Sequence, residues 1–314
     1  MSKSTLTVSG SGMKRFNSIR RSTDIAYSIL FILLALLCVI PVIFVIIISF
    51  SSEASIGKVG YSFVPAEWST EAYQYVWHLR NTHGIPTVVM AFLTSIGITL
   101  VGTVLGLTLI STMGYVLSRP SFRLRKIYTY LIFIPMIFNG GLLSTYVINT
   151  QILGLKNTYW ALILPLCCSS FYVIIMRTFF QTTVPDEIIE SGKIDGASQL
   201  RIFVPLVLPI SLPALATIAL FLTFAYWNDW YQASLYIESN QHDLFPLQYV
   251  LVNIEKNIQY LANNDMAMSA NSNALPSETM RMAIVVISVV PIMFSYPFFQ
   301  KYFISGLTIG AVKG

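Results

Sequence analysis

Six long apolar stretches constrain this chain more than any other feature of its sequence. They cover residues 27–50, 87–117, 126–150, 159–182, 206–230 and 280–300. A bilayer core of about 30 Å needs about 20 consecutive apolar residues in each helix that crosses it. The apolar residues lie all round each predicted helix, without the alternation of a strand. The sequence therefore predicts an all-α polytopic membrane protein with six transmembrane helices, which agrees with a charged share of only 11%.

The distribution of positive charge predicts the orientation of the chain in the membrane. With the N-terminus in the cytoplasm, fourteen of the 19 Lys and Arg residues fall in cytoplasmic segments and five in external ones. Cytoplasmic loops of membrane proteins carry such an excess. Both termini are therefore expected in the cytoplasm, with residues 1–23 as a disordered tail and residues 24–314 as the membrane domain. The net charge of +5 follows from this topology, so no nucleic-acid partner is expected.

Two segments between the apolar stretches differ from ordinary short connections. The external segment 231–279 is long enough to be either a docking surface for another protein or a disordered connector. Residues 185–203 predict a short amphipathic helix on the cytoplasmic face. Asp186 and Glu187 favour the positive end of such a helix, and Gly196 ends it well because it can adopt a positive φ angle. From these residues alone, an ordinary solvated loop is an equal alternative.

The stretch from Pro185 to Pro213 resembles the EAA signature of the membrane permeases of bacterial ABC importers. That signature reads Glu-Ala-Ala, three residues, Gly, nine residues, Ile, one residue, Leu-Pro. Where the chain departs from it, small residues remain small and apolar residues remain apolar. The matching positions are Glu190, Gly196, Leu208 and Pro209, and the departures are Ser191, Gly192 and Leu206.

Further stretches extend the resemblance from about Asp24 to the end of the chain. They include "GYVLSRPSFR", "FNGGLLSTYVI", "LGLKNTYWALILP", "YWNDWYQASLYI" and the tail "YPFFQKYFISGLTIGAVKG". These look like carbohydrate-uptake permeases, and the likeness is closest to the lipoprotein-associated oligosaccharide permease branch. The resemblance implies the type I permease fold of ABC importers, in the plasma membrane of a bacterium.

The resemblance also implies how such a permease works. Its cytoplasmic helix is a coupling helix that docks on a separate ATPase, since this chain has no phosphate-binding loop of its own. The expected partners are a homologous second permease, two ATPase subunits, an extracellular solute-binding protein, an oligosaccharide and the lipid bilayer. No catalytic residue and no cofactor are expected. The coupling residues are predicted to be Glu187, Glu190, Ser191, Gly192, Asp195, Gly196, Leu208 and Pro209.

A sugar pathway is predicted where aromatic and amide side chains occur together at the ends of spans, because sugars present both C–H faces and hydroxyl groups. At 100° per residue, Trp227 and Tyr231 would share one helix face with Asn228 close to it. Asp229 is either a sugar contact or part of an interfacial belt. In the third span, the Gly140–Gly141 pair predicts close helix packing. The predicted pathway residues are Trp227, Asn228, Tyr231, Asn139 and Tyr146.

Two other classes of function stay open in the sequence. An ion-coupled secondary transporter would need charged residues inside its spans, and a membrane-bound enzyme would need a nucleophile with its base or a metal cluster. His78, His83 and His242 lie in external loops without the spacing of metal ligands. No metal site is therefore expected, and the importer permease is the favoured function.

Overall fold

The computed structural model describes residues 21–79, 84–262 and 277–311. Within these ranges every regular element is a helix. The helices are α1 (Arg21–Ser49), α2 (Glu53–Val59), α3 (Glu71–His78), α4 (Thr87–Ser118), α5 (Arg125–Ile137), α6 (Gly141–Val147), α7 (Tyr159–Cys167), α8 (Ser170–Thr183), α9 (Asp186–Ile194), α10 (Gln199–Ile210), α11 (Leu212–Trp227), α12 (Tyr231–Tyr236), α13 (Leu247–Ala262) and α14 (Ser277–Ala311). The predicted tail lies almost wholly outside the described residues.

Two of the predicted spans are single unbroken helices. Helix α1 covers the first apolar stretch, and α4, with 32 residues, covers the second. Both are long and apolar enough to cross a membrane. The last predicted stretch lies within α14, which is 35 residues long.

The other three predicted spans are each divided into two helices. The bends are 120° between α5 and α6, 46° between α7 and α8, and 82° between α10 and α11. In the described part of the chain, two helices can therefore cross a membrane, or up to five if each bent pair counts as one span. The expected number of six spans stays a prediction.

The corners occur where the backbone cannot continue as a regular helix. At the 120° corner Gly141 has a φ angle of +83°, a conformation that glycine adopts without steric cost. A Cβ added to Gly140 or Gly141 would meet nothing closer than 3.8 Å. This pair therefore makes no close helix contact within the described part of the chain. At the 82° corner, Pro209 and Pro213 flank Ser211, and each proline removes a backbone donor from the helix.

Helix α4 lies at the centre of the fold and packs against α7, α8, α11 and α13. Small residues along α4 allow these neighbours to approach closely, as they do in other membrane helix pairs. A Cβ added to Gly102 would lie 2.4 Å from the Tyr226 ring, and one added to Gly114 would lie 2.8 Å from Met176. By contrast, most side chains of α1, α5 and α6 are exposed. Those surfaces need a lipid or protein neighbour.

The segment 231–279, which is predicted to be external, folds into helices over its described part. After α12 comes a single 3-10 turn, His242–Leu244, and then α13. Leu247 and Val250 of α13 are buried, and the Leu247 N–H donates to Ser95 Oγ of α4 at 2.7 Å. Residues 231–262 therefore form an ordered layer over one end of α4, which excludes a disordered connector there. Residues 263–276 lie outside the described residues, and docking of another protein on this segment stays a prediction.

Candidate functional site

The predicted amphipathic helix is α9, a helix of 9 residues that begins directly after Pro185. Pro185 has φ −62° and ψ 140°, so the chain enters the helix from an extended conformation. Asp186 and Glu187 lie in its first turn and Lys193 in its last, the arrangement that the helix dipole favours. An unstructured loop is therefore excluded for this segment.

Gly196 ends this helix in the way that its sequence position predicts. Its φ angle is +71°, and its N–H donates to Lys193 O at 3.0 Å. The N–H of Ala197 donates to Gly192 O, also at 3.0 Å. These two bonds form a Schellman motif, which reverses the chain after a helix. A Cβ added to Gly196 would meet nothing within 4 Å, so the turn itself, and no close contact in this chain, requires a glycine.

Gly192, which is predicted to lie on the surface that docks on the ATPase, has a different position. It is buried, and a Cβ there would lie 3.0 Å from Ile202 of α10. Ile189, one turn earlier, is 3% exposed and belongs to the same buried face. Gly192 therefore allows α9 to pack against its own chain, which corrects the prediction that it offers a surface to another protein.

The opposite face of the predicted coupling segment, residues 185–203, is open. Polar side chains alternate there with two large apolar ones, Ile194 and Leu200, which are 86% and 72% exposed. Single exposed apolar side chains are normal on protein surfaces, so these two alone do not identify an interface. The predicted coupling residues on this open surface are Glu187, Glu190, Ser191, Asp195 and Gly196.

Leu208 and Pro209 do not belong to that surface, because they lie at the far end of α10. A π-helical turn, Phe203–Val207, precedes them, and Leu208 packs against the hydrophobic core. Pro209 is exposed and cannot donate a backbone hydrogen bond, which favours an irregular helix here. These two residues form the corner through which the coupling segment continues into α11.

The predicted sugar pathway has a different geometry from a continuous helix. Helix α11 ends at Trp227 and α12 begins at Tyr231, so the two residues do not share a helix face. Trp227 is 7% exposed and its ring N–H donates to Ser288 O at 3.2 Å. Trp227 is therefore part of the core in this conformation, and its role in the sugar pathway stays a prediction. Asn228 and Tyr231 are exposed.

Asp229 has a structural role at this break. Its two carboxylate oxygens lie 3.3 and 3.5 Å from the N–H of Gln232, in the first turn of α12. Asp229 directly precedes the N-cap residue Trp230, and its carboxylate satisfies one of the free N–H groups of the helix. This hydrogen bond is a third role beside the sugar contact and the interfacial belt.

Asn139 and Tyr146 lie in the bent third span. Asn139 Oδ1 accepts from the Gly141 N–H at 2.8 Å, so this side chain stabilises the 120° corner. Tyr146 stacks on Tyr236 of α12, with ring centroids 5.9 Å apart and the rings 9° from parallel. Asn149 donates from its amide nitrogen to the Tyr236 hydroxyl at 2.8 Å. The structure thus brings Tyr146 to the helix that Tyr231 begins.

Comparisons with known proteins agree with this architecture. A family model described as "Binding-protein-dependent transport system inner membrane component" matches residues 110–309. The polygalacturonan/rhamnogalacturonan transport system permease protein YtcP of Bacillus subtilis (strain 168) is 36% identical over 286 residues, which cover 90% of this chain and 95% of that protein.

This chain belongs to the family of binding-protein-dependent inner membrane transport components.

A second related protein and a solved structure are also similar to this chain over most of its length. Protein LplC of Bacillus subtilis (strain 168) is 39% identical over 267 residues, covering 85% of this chain and 86% of that protein. The crystal structure of a bacterial ABC transporter involved in the import of the acidic polysaccharide alginate matches with a TM-score of 0.75 at 30% identity, over 91% of this chain and 99% of that chain. The chain is thus a transport permease with the fold of ABC importers, and it is not an enzyme.

One residue of this permease has a position that its local sequence does not indicate. Arg119, in the stretch "GYVLSRPSFR", is 8% exposed and forms an ion pair with Asp186 at 2.9 Å. The two residues are 67 positions apart. The only signal in the sequence is the inclusion of Arg119 in a stretch that resembles other permeases.

Proposed function

We propose that this permease is one half of the membrane pore of an ATP-driven importer of oligosaccharides, working by alternating access. The observation that carries the proposal is the coupling segment. Its helix α9 is fixed on its own chain by Ile189 and Gly192, and it presents Glu190 and Ile194 outward. A rigid helix with an exposed mixed face fits docking on an ATPase, for which this chain has no phosphate loop of its own.

The proposed partners follow from the same segment and from the family. Two ATPase subunits bind on the cytoplasmic face, one of them on the α9 surface, and a homologous second permease completes the pore. An extracellular solute-binding protein delivers the sugar. Both termini of the chain lie in the cytoplasm of a bacterial cell, an orientation that the positive charge of the short loops supports.

The relatives support a carbohydrate as the cargo. The named cargo of one is polygalacturonan or rhamnogalacturonan, and that of the solved transporter is the acidic polysaccharide alginate. Oligomers of acidic sugars are therefore the first substrates to test, with a neutral oligosaccharide for comparison. Asn228 and Tyr231 are the described pathway residues of this chain that are exposed at the end of α11.

The coupling role is tested by Gly196→Leu in the full complex, reconstituted in vesicles with its ATPase and binding protein. A leucine held at a φ angle of +71° is strained by roughly 1–2 kcal/mol, so the turn opens and α9 shifts. We expect normal membrane insertion and the loss of ATP hydrolysis stimulated by the binding protein.

The matched control is Gly60→Leu, at an external glycine with φ +73° and open space around it, where stimulation should persist. If the Gly196→Leu complex hydrolyses ATP like the wild type, the coupling assignment is wrong. Uptake driven by an ion gradient in the absence of ATP would instead favour a secondary transporter.

A further inference from the structure

Arg119 joins three helices at the coupling end of the molecule. It follows the last residue of α4, and its guanidinium group makes hydrogen bonds in three directions. Its Nη1 donates to Asp186 Oδ1 at 2.9 Å, its Nη2 to Phe180 O at 3.0 Å and its Nε to Ser118 Oγ at 2.8 Å. Asp186 begins the coupling helix α9, and Phe180 lies in the last turn of α8. A single side chain thus fixes α9 to α4 and α8.

The charges of this contact match the helix ends that they meet. Phe180 O is one of the last four carbonyl groups of α8, which lack partners within their own helix. A cation is favourable there, and the Asp186 carboxylate is favourable in the first turn of α9. The planar guanidinium group has five donors in a fixed geometry, which an amine on a flexible chain cannot reproduce.

An aromatic cluster next to Arg119 contacts the C-terminal end of the coupling segment. The guanidinium carbon lies 5.2 Å from the centre of the Tyr115 ring. That ring is 4.7 Å from Phe203 and 5.8 Å from Phe180, between ring centroids. Phe203 is the last residue of the coupling segment and begins the π-helical turn of α10. Both ends of the segment are therefore held against the same end of α4.

Arg119 is buried, in contrast to Arg123 of the same loop. Its side chain is 10% exposed, and that of Asp186 is 66% exposed. A buried charge that loses its partner remains without compensation, so such a contact is costly to break. Arg123, four residues later, is exposed to solvent. The two arginines offer a matched pair for mutation, with the same charge and the same loop but different surroundings.

We propose that Arg119 is the positioning residue that carries the displacement of the coupling helix α9 to the central helix α4. This inference rests on the proposed function, because it needs an ATPase that moves α9. It adds a residue outside the coupling segment, and it predicts that α9 and α4 move as one body. Arg119 itself touches neither the nucleotide nor the sugar.

The test uses the full complex in vesicles and measures the number of sugars taken up per ATP hydrolysed. The first variant, Arg119→Lys, keeps the positive charge but loses the fixed donor geometry of the guanidinium group. The second, Asp186→Asn, removes the negative charge of the exposed partner. Arg123→Lys, the same substitution at the exposed arginine, is the control. We expect both variants at the contact to lower the transport ratio roughly tenfold, the change that one charge-assisted hydrogen bond causes in an equilibrium. The control should match the wild type.

Each outcome decides between coupling and a merely structural role. A structural role would reduce the amount of assembled complex but leave sugars per ATP unchanged, and that result would overturn the inference. If Arg119→Lys prevents assembly, Asp186→Asn decides, and normal coupling in that variant also overturns it. A wild-type complex without ATP-dependent uptake would instead refute the proposed function, which distinguishes the two failures.

Discussion

Two ion pairs at different ends of the molecule differ in how they are built. The inner joint consists of Arg119, Asp186 and Phe180, and its arginine side chain is 10% exposed. The outer joint consists of Lys156, Asn157 and Glu238, where the Lys and Glu side chains are 42% and 48% exposed. The inner joint is thus shielded on one side and the outer one is open to water on both. In the proposed mechanism, the shielded inner joint transmits the movement of α9, whereas the solvent-exposed outer joint can separate.

The outer joint connects the turn before α7 to the end of α12. Lys156 Nζ lies 2.6 Å from Glu238 Oε1, and Asn157 Oδ1 accepts from the Glu238 N–H at 2.8 Å. The Asn157 N–H donates to Tyr236 O at 3.0 Å, with Asn157 at a φ angle of +57°. The geometry is good, but solvent competes for every member. Exposed pairs of this kind contribute little to stability.

The largest contrast is expected from charge reversal at the two joints. Asp186→Lys places a second cation beside the buried Arg119, whereas Glu238→Lys places one beside an exposed lysine. We expect the first variant to lose the stimulation of ATP hydrolysis by the binding protein and the second to retain most of it. The measurement is stimulated ATPase activity of the purified complexes. Equal losses in both would remove the distinction between the joints.

A smaller effect is expected from the exposed amide of Asn228, which directly follows α11. Asn228 donates to Phe224 O at 2.9 Å and is otherwise open to a ligand on its exposed side. Asn228→Ala should weaken sugar uptake several-fold, since a hydrogen bond contributes about 0.5–1.5 kcal/mol net. Trp230→Phe, which keeps an aromatic ring, is the control and should transport like the wild type. If Trp230→Phe loses sugar uptake while Asn228→Ala transports normally, the pathway runs along the Trp230 side and the assignment of Asn228 is wrong.

The smallest effect concerns the pH dependence of the outer joint. The hydrogen bond from Lys156 lowers the pKa of Glu238 below its usual value of 4.5. A lowered pKa means that the pair stabilises the fold above the usual pKa and loses this contribution as the pH falls through the lowered one. The difference in melting temperature between the wild type and Lys156→Gln should therefore be small at neutral pH and should decrease further as the pH falls from 4.5 through the lowered pKa of Glu238. A difference that grows on acidification would contradict this.

The coupling turn could be predicted from the sequence because its cause is local. Gly196 follows a short run with Asp186 at its start, and both the positive φ angle and the cap depend on neighbours within a few residues. The inner joint could not be predicted in this way, since Arg119 and Asp186 are 67 positions apart and meet only after α4 and α8 have packed. Nothing in the pattern around Arg119 specifies its partner.

The corners of the three bent spans also depend on more than apolar composition. An apolar run predicts that a segment enters the membrane, but it gives no direction to the helix within it. Pro209 and Gly141 are signals of a break, yet the 82° and 120° bends follow from how the flanking helices pack. The same limit explains Trp227: helical periodicity continued past the end of α11 predicts a surface position, whereas the residue lies in the core.

The central claim is that α9 and α4 move as one body, and a distance measurement tests it most directly. Spin labels at Lys193 of α9 and Ser121, just after α4, both exposed, report this distance in a background free of the native cysteines. The nucleotide-free complex and the complex trapped with ATP should give the same narrow distance in the wild type, and Arg119→Gln should broaden it. A wild-type distance that changes between the two states, with the helices separating, would contradict the account.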